Sequence, residues 1–239
     1  MKLSQIPKMS NLKVMLQGEP GAGKTCFATS FPAPIYVFDF DSKINSAARY
    51  HDSARVEQID FDDYRGGRGS DAFDRFEKKL AELESNQKLT GKQAYNTIII
   101  DSLTQLSDVM LEALMKRYNT KRGHIHIPSM QDYQYLGIEF KNYIHRLLRL
   151  DCNIVINAHI QINKDEITGE ILRMPQMNGT KTAKWLPTIL EEVYYCHRVE
   201  KGSAIEYVAD SKNEKFGCRS QIPGLPKTFS QNYASLTVK

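Results

Sequence analysis

The sequence predicts an α/β fold in which a mainly parallel central sheet carries helices on both faces and ends in a C-terminal β-hairpin. Three observations predict it. Short apolar runs lie far apart along the 239 residues, without polar alternation, as strands covered on both faces do. Amphipathic helical patterns fill the intervals, which implies parallel strand connections. A glycine-rich segment, residues 18–25, joins the first apolar run to a short helical stretch, which is the context of a phosphate-binding loop.

The elements follow in order. Residues 12–16 are the first strand, residues 24–30 a short helix and residues 35–38 the second strand. Residues 60–70, with Gly66, Gly67 and Gly69, are expected to be a flexible surface loop. Residues 70–86 place Phe73, Phe76, Leu80 and Leu83 at helical spacing, with Ser70 or Asp71 as cap. Residues 97–100 form the third strand, and 102–118 a helix with Leu103, Leu106, Met110, Leu114 and Met115 inward. Residues 129–150 are the next helix, on Tyr133, Leu136, Phe140, Ile144, Leu147 and Leu148, and 153–156 the fourth strand. Residues 160–163 and 171–174 are a loose hairpin. Residues 192–199 and 204–209 are a clearer one, with Gly202 in its turn. The chain is expected to be a single domain over 1–239, with a core of about 11–220 and a C-terminal tail of 221–239.

Composition narrows the class. Hydrophobic residues at 41% and charged residues at 25% are ordinary for a globular protein and exclude wholesale disorder. The net charge of +4 permits a polyanionic partner without requiring one. Cys26, Cys152, Cys196 and Cys218 form no C-x-x-C pair, so reduced thiols are expected rather than a zinc ribbon. The first eleven residues hold no apolar run, and no segment reaches the length of a membrane span. A cytoplasmic location without a membrane partner is the expectation.

Gly18-Glu19-Pro20-Gly21-Ala22-Gly23-Lys24-Thr25 satisfies G-x-x-x-x-G-K-[ST]. The glycines let backbone N–H groups turn inward toward phosphate oxygens. The helix N-terminus adds donors and positive potential. Lys24 is placed for the β- and γ-phosphates and the Thr25 hydroxyl for Mg²⁺, and Cys26 completes the nucleotide-contacting set.

Phosphoryl transfer also needs carboxylates. Ile98-Ile99-Ile100-Asp101 is an apolar strand ending in an acid, at the sheet edge where parallel sheets bind ligands. Asp101 is the metal-side candidate, and it also fits a cap of the following helix. Ser102 follows, so no base stands directly after the strand. Asp39 and Asp41, two residues apart, are expected on one face of the second strand's end. Asp41 is the candidate catalytic base, or else a capping acid of a solvated turn. His159, after Ile156-Asn157-Ala158, is a candidate γ-phosphate sensor or a structural histidine.

Residues 18–25, 37–41, 98–102 and 156–159, in this order and spacing, resemble the RecA-like P-loop ATPase core. The short helix followed by Phe31-Pro32-Ala33-Pro34, the Phe38-Asp39-Phe40-Asp41 strand end and Ala158-His159 are similar to the phage Sak-type single-strand annealing ATPases. The resemblance covers about residues 11–220. It implies ATP and Mg²⁺ as cofactors, ATP hydrolysis, single-stranded DNA binding and a role in phage recombination or annealing. It also implies assembly into rings or filaments, and a single-strand-binding protein as a further partner. Under it, Lys24 and Thr25 hold phosphate and Mg²⁺, Asp101 supports the metal and His159 is the sensor. RecA-like enzymes usually carry Glu at the position of Asp41.

The segments after the third and fourth strands would be the DNA-binding loops. They carry Lys121 and Arg122 in the first, Lys164, Arg173 and Lys181 in the second, and Lys184 just beyond. Tyr133 or Trp185 would stack on bases. His124 and His126 lack a third ligand for a metal. Lys212, Lys215 and Arg219 are candidate basic fingers toward a neighbour's γ-phosphate, or a charged turn.

Other nucleotide-binding classes fit less well. Asn163-Lys164-Asp165-Glu166 ends in Glu where a GTPase reads guanine with Asp, and Asp101 opens no D-x-x-G. A small-molecule kinase would carry an arginine-rich lid, and Arg173 stands alone. A RecA-like helicase core and a nucleotide-dependent switch that recruits a partner without significant hydrolysis stay open.

Overall fold

A computed structural model describes residues 11–66, 70–118, 127–164, 169 and 171–237. Four apolar runs become β1 (Lys13–Gln17), β2 (Ile35–Asp39), β4 (Thr97–Asp101) and β5 (Asn153–Ala158). They are buried almost throughout. β3 (Ile59–Asp63), β8 (Glu192–Lys201), β9 (Ala204–Asp210) and β10 (Thr228–Ser230) complete one eight-stranded sheet in the order β10-β9-β8-β1-β5-β4-β2-β3. From β8 to β3 every pairing is parallel; β8, β9 and β10 pair antiparallel. This is the expected class, with Lys201 opposite Ala204 at the hairpin turn.

The two faces of the sheet bury different helices because successive side chains point to opposite sides. Met15, Phe38, Ile98, Ile100, Ile154 and Ile156 face one way. They meet α4 (Ala72–Thr90), α5 (Leu103–Tyr118), α6 (Met130–Leu148) and α7 (Thr180–Trp185). Val14, Leu16, Val37, Ile99 and Val155 face the other way, against α1 (Lys24–Ala28) and α2 (Asn45–Tyr50). Each fully buried aliphatic or phenyl group contributes about 1.5–3 kcal/mol. The predicted inward residues of α4 and α5, and Leu136, Phe140, Ile144 and Leu147 of α6, sit in the first cluster, with Leu148 partly buried against it; Tyr133 is exposed instead. Ser129 opens α6 with its N–H donating to Asp132 Oδ2 at 2.6 Å. Gly91, at φ 73°, closes α4.

The expectation for residues 60–70 is corrected in part. β3 occupies Ile59–Asp63 and pairs with β2 from Ile35↔Ile59 to Asp39↔Asp63. Its acids Asp60, Asp62 and Asp63 are poor strand formers, and they suit an edge that must not recruit a further strand. The short α2, α3 (Ser53–Val56) and α7 carry no sequence signal long enough to detect. β6 (Ile160–Lys164) and β7 (Ile171–Pro175) form the loose hairpin as a separate two-stranded sheet.

Residues 221–237 are not a tail. β10 extends the sheet, and Leu225, Phe229 and Leu236 are buried in the cluster around α1. Among the described residues no helix is long and apolar enough to cross a membrane.

Candidate active site

The loop between β1 and α1 is shaped by its glycines. The Gly18 N–H donates to the Ala158 carbonyl at 3.2 Å, which ties the start of the loop to the end of β5. A Cβ on Gly18 would lie 2.4 Å from the Cys196 carbonyl oxygen, so the chain passes there only without a side chain. Gly21 and Gly23 take φ values of 75° and 86°, in the left-handed region. Phe27 N–H then donates to Gly23 O at 2.9 Å and α1 begins.

Lys24 is buried, and its Nζ donates to the carbonyls of Gly18 at 2.9 Å and Glu19 at 3.0 Å. The ammonium thus lies across the loop. Burial lowers its pKa, and the negative neighbours Asp101 and Asp41 act against that shift. The Thr25 hydroxyl donates to Asp101 Oδ2 at 2.6 Å. Asp101 is buried at the end of β4, and desolvation raises its pKa while Thr25 and Asn157 pull it back. Ser102 takes the place of helix cap: Leu106 N–H donates to Ser102 O at 3.0 Å. Asp101 is therefore free of the capping role. A hydroxyl and a carboxylate oxygen at the mouth of an anion cradle are hard donors, which is the chemistry Mg²⁺ selects. These residues fit the group.

Asp39 and Asp41 have different partners. Asp39 is buried in β2, and its carboxylate accepts from the N–H groups of Lys43 at 3.1 Å and Ile44 at 3.2 Å. It is the capping acid of the turn into α2. Burial raises its pKa against those two bonds. Asp41 lies beyond the strand. It accepts from Ser102 Oγ at 2.8 Å, with His159 Nε2 and Lys43 Nζ each at 3.3 Å. Burial works to raise the Asp41 carboxyl, but bonds from His159 and Ser102 and the charge of Lys43 outweigh it and hold it at about 2.

Asp41, Lys43, Asp101 and His159 line one cavity of about 860 Å³, together with residues 20–27. That is the size of a small-molecule site. α2 adds Tyr50 and Arg49 to the lining, β9 adds Tyr207, and Gln231 and Asn232 follow β10. The sequence carried no signal for these five, because no motif links them to the loop. Gln231 Nε2 donates to Ala22 O at 2.8 Å across 209 residues.

A family model described as an AAA domain matches residues 10–217. The chain belongs to the AAA domain family. No curated protein matches the sequence. Among solved structures, the domain is similar to a KaiC-like protein of the archaeon Pyrococcus horikoshii OT3, at 14% identity. That match covers 83% of this chain and 77% of that one, with a TM-score of 0.44. It is also similar to the flagellar accessory protein FlaH of Methanocaldococcus jannaschii, at 13% identity, covering 91% and 83%, with a TM-score of 0.48. Likeness at that level says nothing of what this AAA domain binds. Its mainly parallel sheet carries the G-x-x-x-x-G-K-[ST] loop directly after β1, within the matched span.

The basic candidates among the described residues do not line this cavity. Lys164, Lys181 and Lys184 are exposed, on β6 and α7. Arg173 is engaged: its guanidinium lies 5.4 Å from the centre of the Phe216 ring, which stacks on Tyr195 at 3.7 Å. Lys121, Arg122, His124 and His126 lie outside the described residues. Trp185 packs against the core with Lys141 over its ring at 5.2 Å, and Tyr133 is half-exposed. Lys212 and Lys215 are exposed. Arg219 is not a free finger, because its guanidinium donates to the carbonyls of Pro187 and Leu190. Among the described residues no group of three or more His, Cys, Asp or Glu is placed to hold a metal.

Proposed function

We propose that this domain is an ATPase that binds single-stranded DNA and acts in phage recombination or annealing. The observation that carries the ATPase part is the convergence of Lys24, Thr25, Asp101, Asp41 and His159 on one cavity over the phosphate loop. Loop N–H groups and Lys24 would hold the phosphates. Thr25 and Asp101 would hold Mg²⁺, which when bound neutralises charge on the β- and γ-phosphates.

Asp41 orients the attacking water. A carboxyl held near 2 is a weak proton acceptor at neutral pH, so positioning fits it better than proton abstraction. Ser102 and His159 fix its direction. The DNA part is supported by the Sak-type resemblance and by the exposed Lys164, Lys181 and Lys184 in the segment after β5. Lys212 and Lys215 are exposed, which leaves them available to a neighbour in a ring or filament.

The test is ATP turnover with and without single-stranded DNA, with the mass of the assembly measured alongside. Wild type should hydrolyse ATP, faster with DNA. Lys24→Ala should lose about a hundredfold or more, as removal of a transition-state donor does. DNA affinity should fall with salt at a log–log slope of about −0.7 per phosphate contacted. Undiminished turnover in Lys24→Ala removes the ATPase reading, and a flat salt response removes the DNA reading.

One observation favours a second reading. Asp41 is already held by three neighbours, which suits a nucleotide-dependent switch that recruits a partner with little hydrolysis. Tight ATP binding with negligible turnover, with or without DNA, selects it.

A further inference from the structure

The cavity extends beyond what a triphosphate requires. Lys24, Thr25 and Asp101 occupy the phosphate end. The remainder is walled by side chains that phosphate chemistry does not call for: Tyr50 on α2, Tyr207 on β9, and Gln231 after β10. Tyr50 is 56% exposed and Tyr207 45%. Two aromatic side chains thus leave much of their surface to water inside a concave site. Tyr207 lies against the loop itself, since a Cβ on Gly23 would sit 2.9 Å from Tyr207 Cδ1.

Gln231 fixes this wall to the loop. It is buried, and its Nε2 donates to Ala22 O and to Val208 O, each at 2.8 Å. One amide therefore bridges the phosphate loop and β9, the strand that carries Tyr207. Its Oε1 is buried with no hydrogen-bond partner among the described residues, an acceptor left over where loop and wall meet.

We infer that this wall is the nucleoside compartment, in which the base of a purine nucleoside triphosphate stacks on Tyr207 and Gln231 keeps that ring in register with the phosphate loop. The inference rests on the triphosphate reading of the loop and adds the base to it. Stacking needs a π face rather than a hydrogen-bond code, so it tolerates adenine and guanine alike, and it favours the larger purine rings over pyrimidines.

The experiment measures binding of ATP, GTP, CTP and inorganic tripolyphosphate to the full chain and to two variants. Wild type should bind ATP and GTP more tightly than CTP. Tyr207→Ala should weaken ATP about tenfold, in the range of a lost base–aromatic stack, while tripolyphosphate binds as before. Tyr207→Phe keeps the ring and should bind ATP like wild type. Retained tripolyphosphate binding shows that Tyr207→Ala is folded. Equal losses of ATP and tripolyphosphate, no loss of ATP, or wild-type CTP binding equal to ATP overturns the inference and leaves the phosphate site standing. A wild type that binds neither nucleotide nor tripolyphosphate instead removes the triphosphate reading on which it rests.

Discussion

At Gly23 the backbone runs at φ 86°, and a Cβ there would lie 2.4 Å from Gln231 Oε1. Gly23→Ala therefore meets two penalties. The left-handed conformation costs about 1–2 kcal/mol for a residue with a Cβ, and the Gln231 amide must move off its bonds to Ala22 and Val208. A thermal melt should show a midpoint lower by about 2–8 °C, with weaker ATP binding. A wild-type midpoint would mean that the loop is not held this tightly. Asp41 makes a prediction in pH. Its carboxyl, held at about 2, lies below the unfolded value of about 3.9. Its ionisation therefore adds stability above that unfolded value, and the gain is lost as pH falls through about 2. Turnover should show no acid limb from this residue above about pH 4. Asp41→Asn should lower turnover by about a hundredfold, the scale of a lost positioning contact, with ATP affinity kept, read by steady-state kinetics beside direct binding.

α1 depends on its neighbours at both ends. It has five residues, too few to be stable alone. The phosphate loop feeds its N-terminus. Past its C-terminus, Arg55 donates through Nε and Nη2 to Thr29 O at 3.1 and 2.7 Å, and through Nη2 to Phe31 O. Thr29 Oγ1 is also bonded to Thr25 O at 2.8 Å, with His51 Nε2 at 2.9 Å. Arg55 thus satisfies carbonyls that would otherwise be left unmet next to a buried surface. Arg55→Ala should cost about 1.5–3 kcal/mol, the scale of charged hydrogen bonds, measured as a shift in denaturant midpoint. Arg55→Lys should not restore it, because a point charge cannot span two carbonyls as a planar fork does.

Across the whole molecule, the C-terminal residues complete the same half of the core that supports the phosphate loop. Phe229 packs edge-on against Phe27 at 6.1 Å, and Tyr233 lies 4.9 Å from Phe31. Tyr233 N–H donates to Ser30 Oγ at 2.9 Å. Leu225, Phe229 and Leu236 are each buried, at about 1.5–3 kcal/mol apiece. That sum is comparable to the whole stability of a domain, about 5–15 kcal/mol. A chain ending at residue 220 should therefore lose its cooperative transition in calorimetry, with ATP binding lost alongside. A sharp transition near the full-length midpoint would refute this.

The sequence by itself determined the phosphate loop, the four inner parallel strands, the three long helices and the C-terminal hairpin. Those are local matters. Glycine spacing, unbroken apolar runs and helical periodicity act over a few residues and leave a visible pattern. Tertiary structure decided what local chemistry leaves open. Asp39 and Asp41 look alike in sequence, and only their burial and partners made one a turn cap and the other a cavity group. β3 carries acids that disguise a strand, and its pairing with β2 alone defines it. Arg219 looked like a free cation until two carbonyls were placed beside it. Tyr207 and Gln231 reach Gly23 and Ala22 from the far end of the chain. A contact between residues so distant leaves no periodicity to read, because it exists only once the sheet has brought them together.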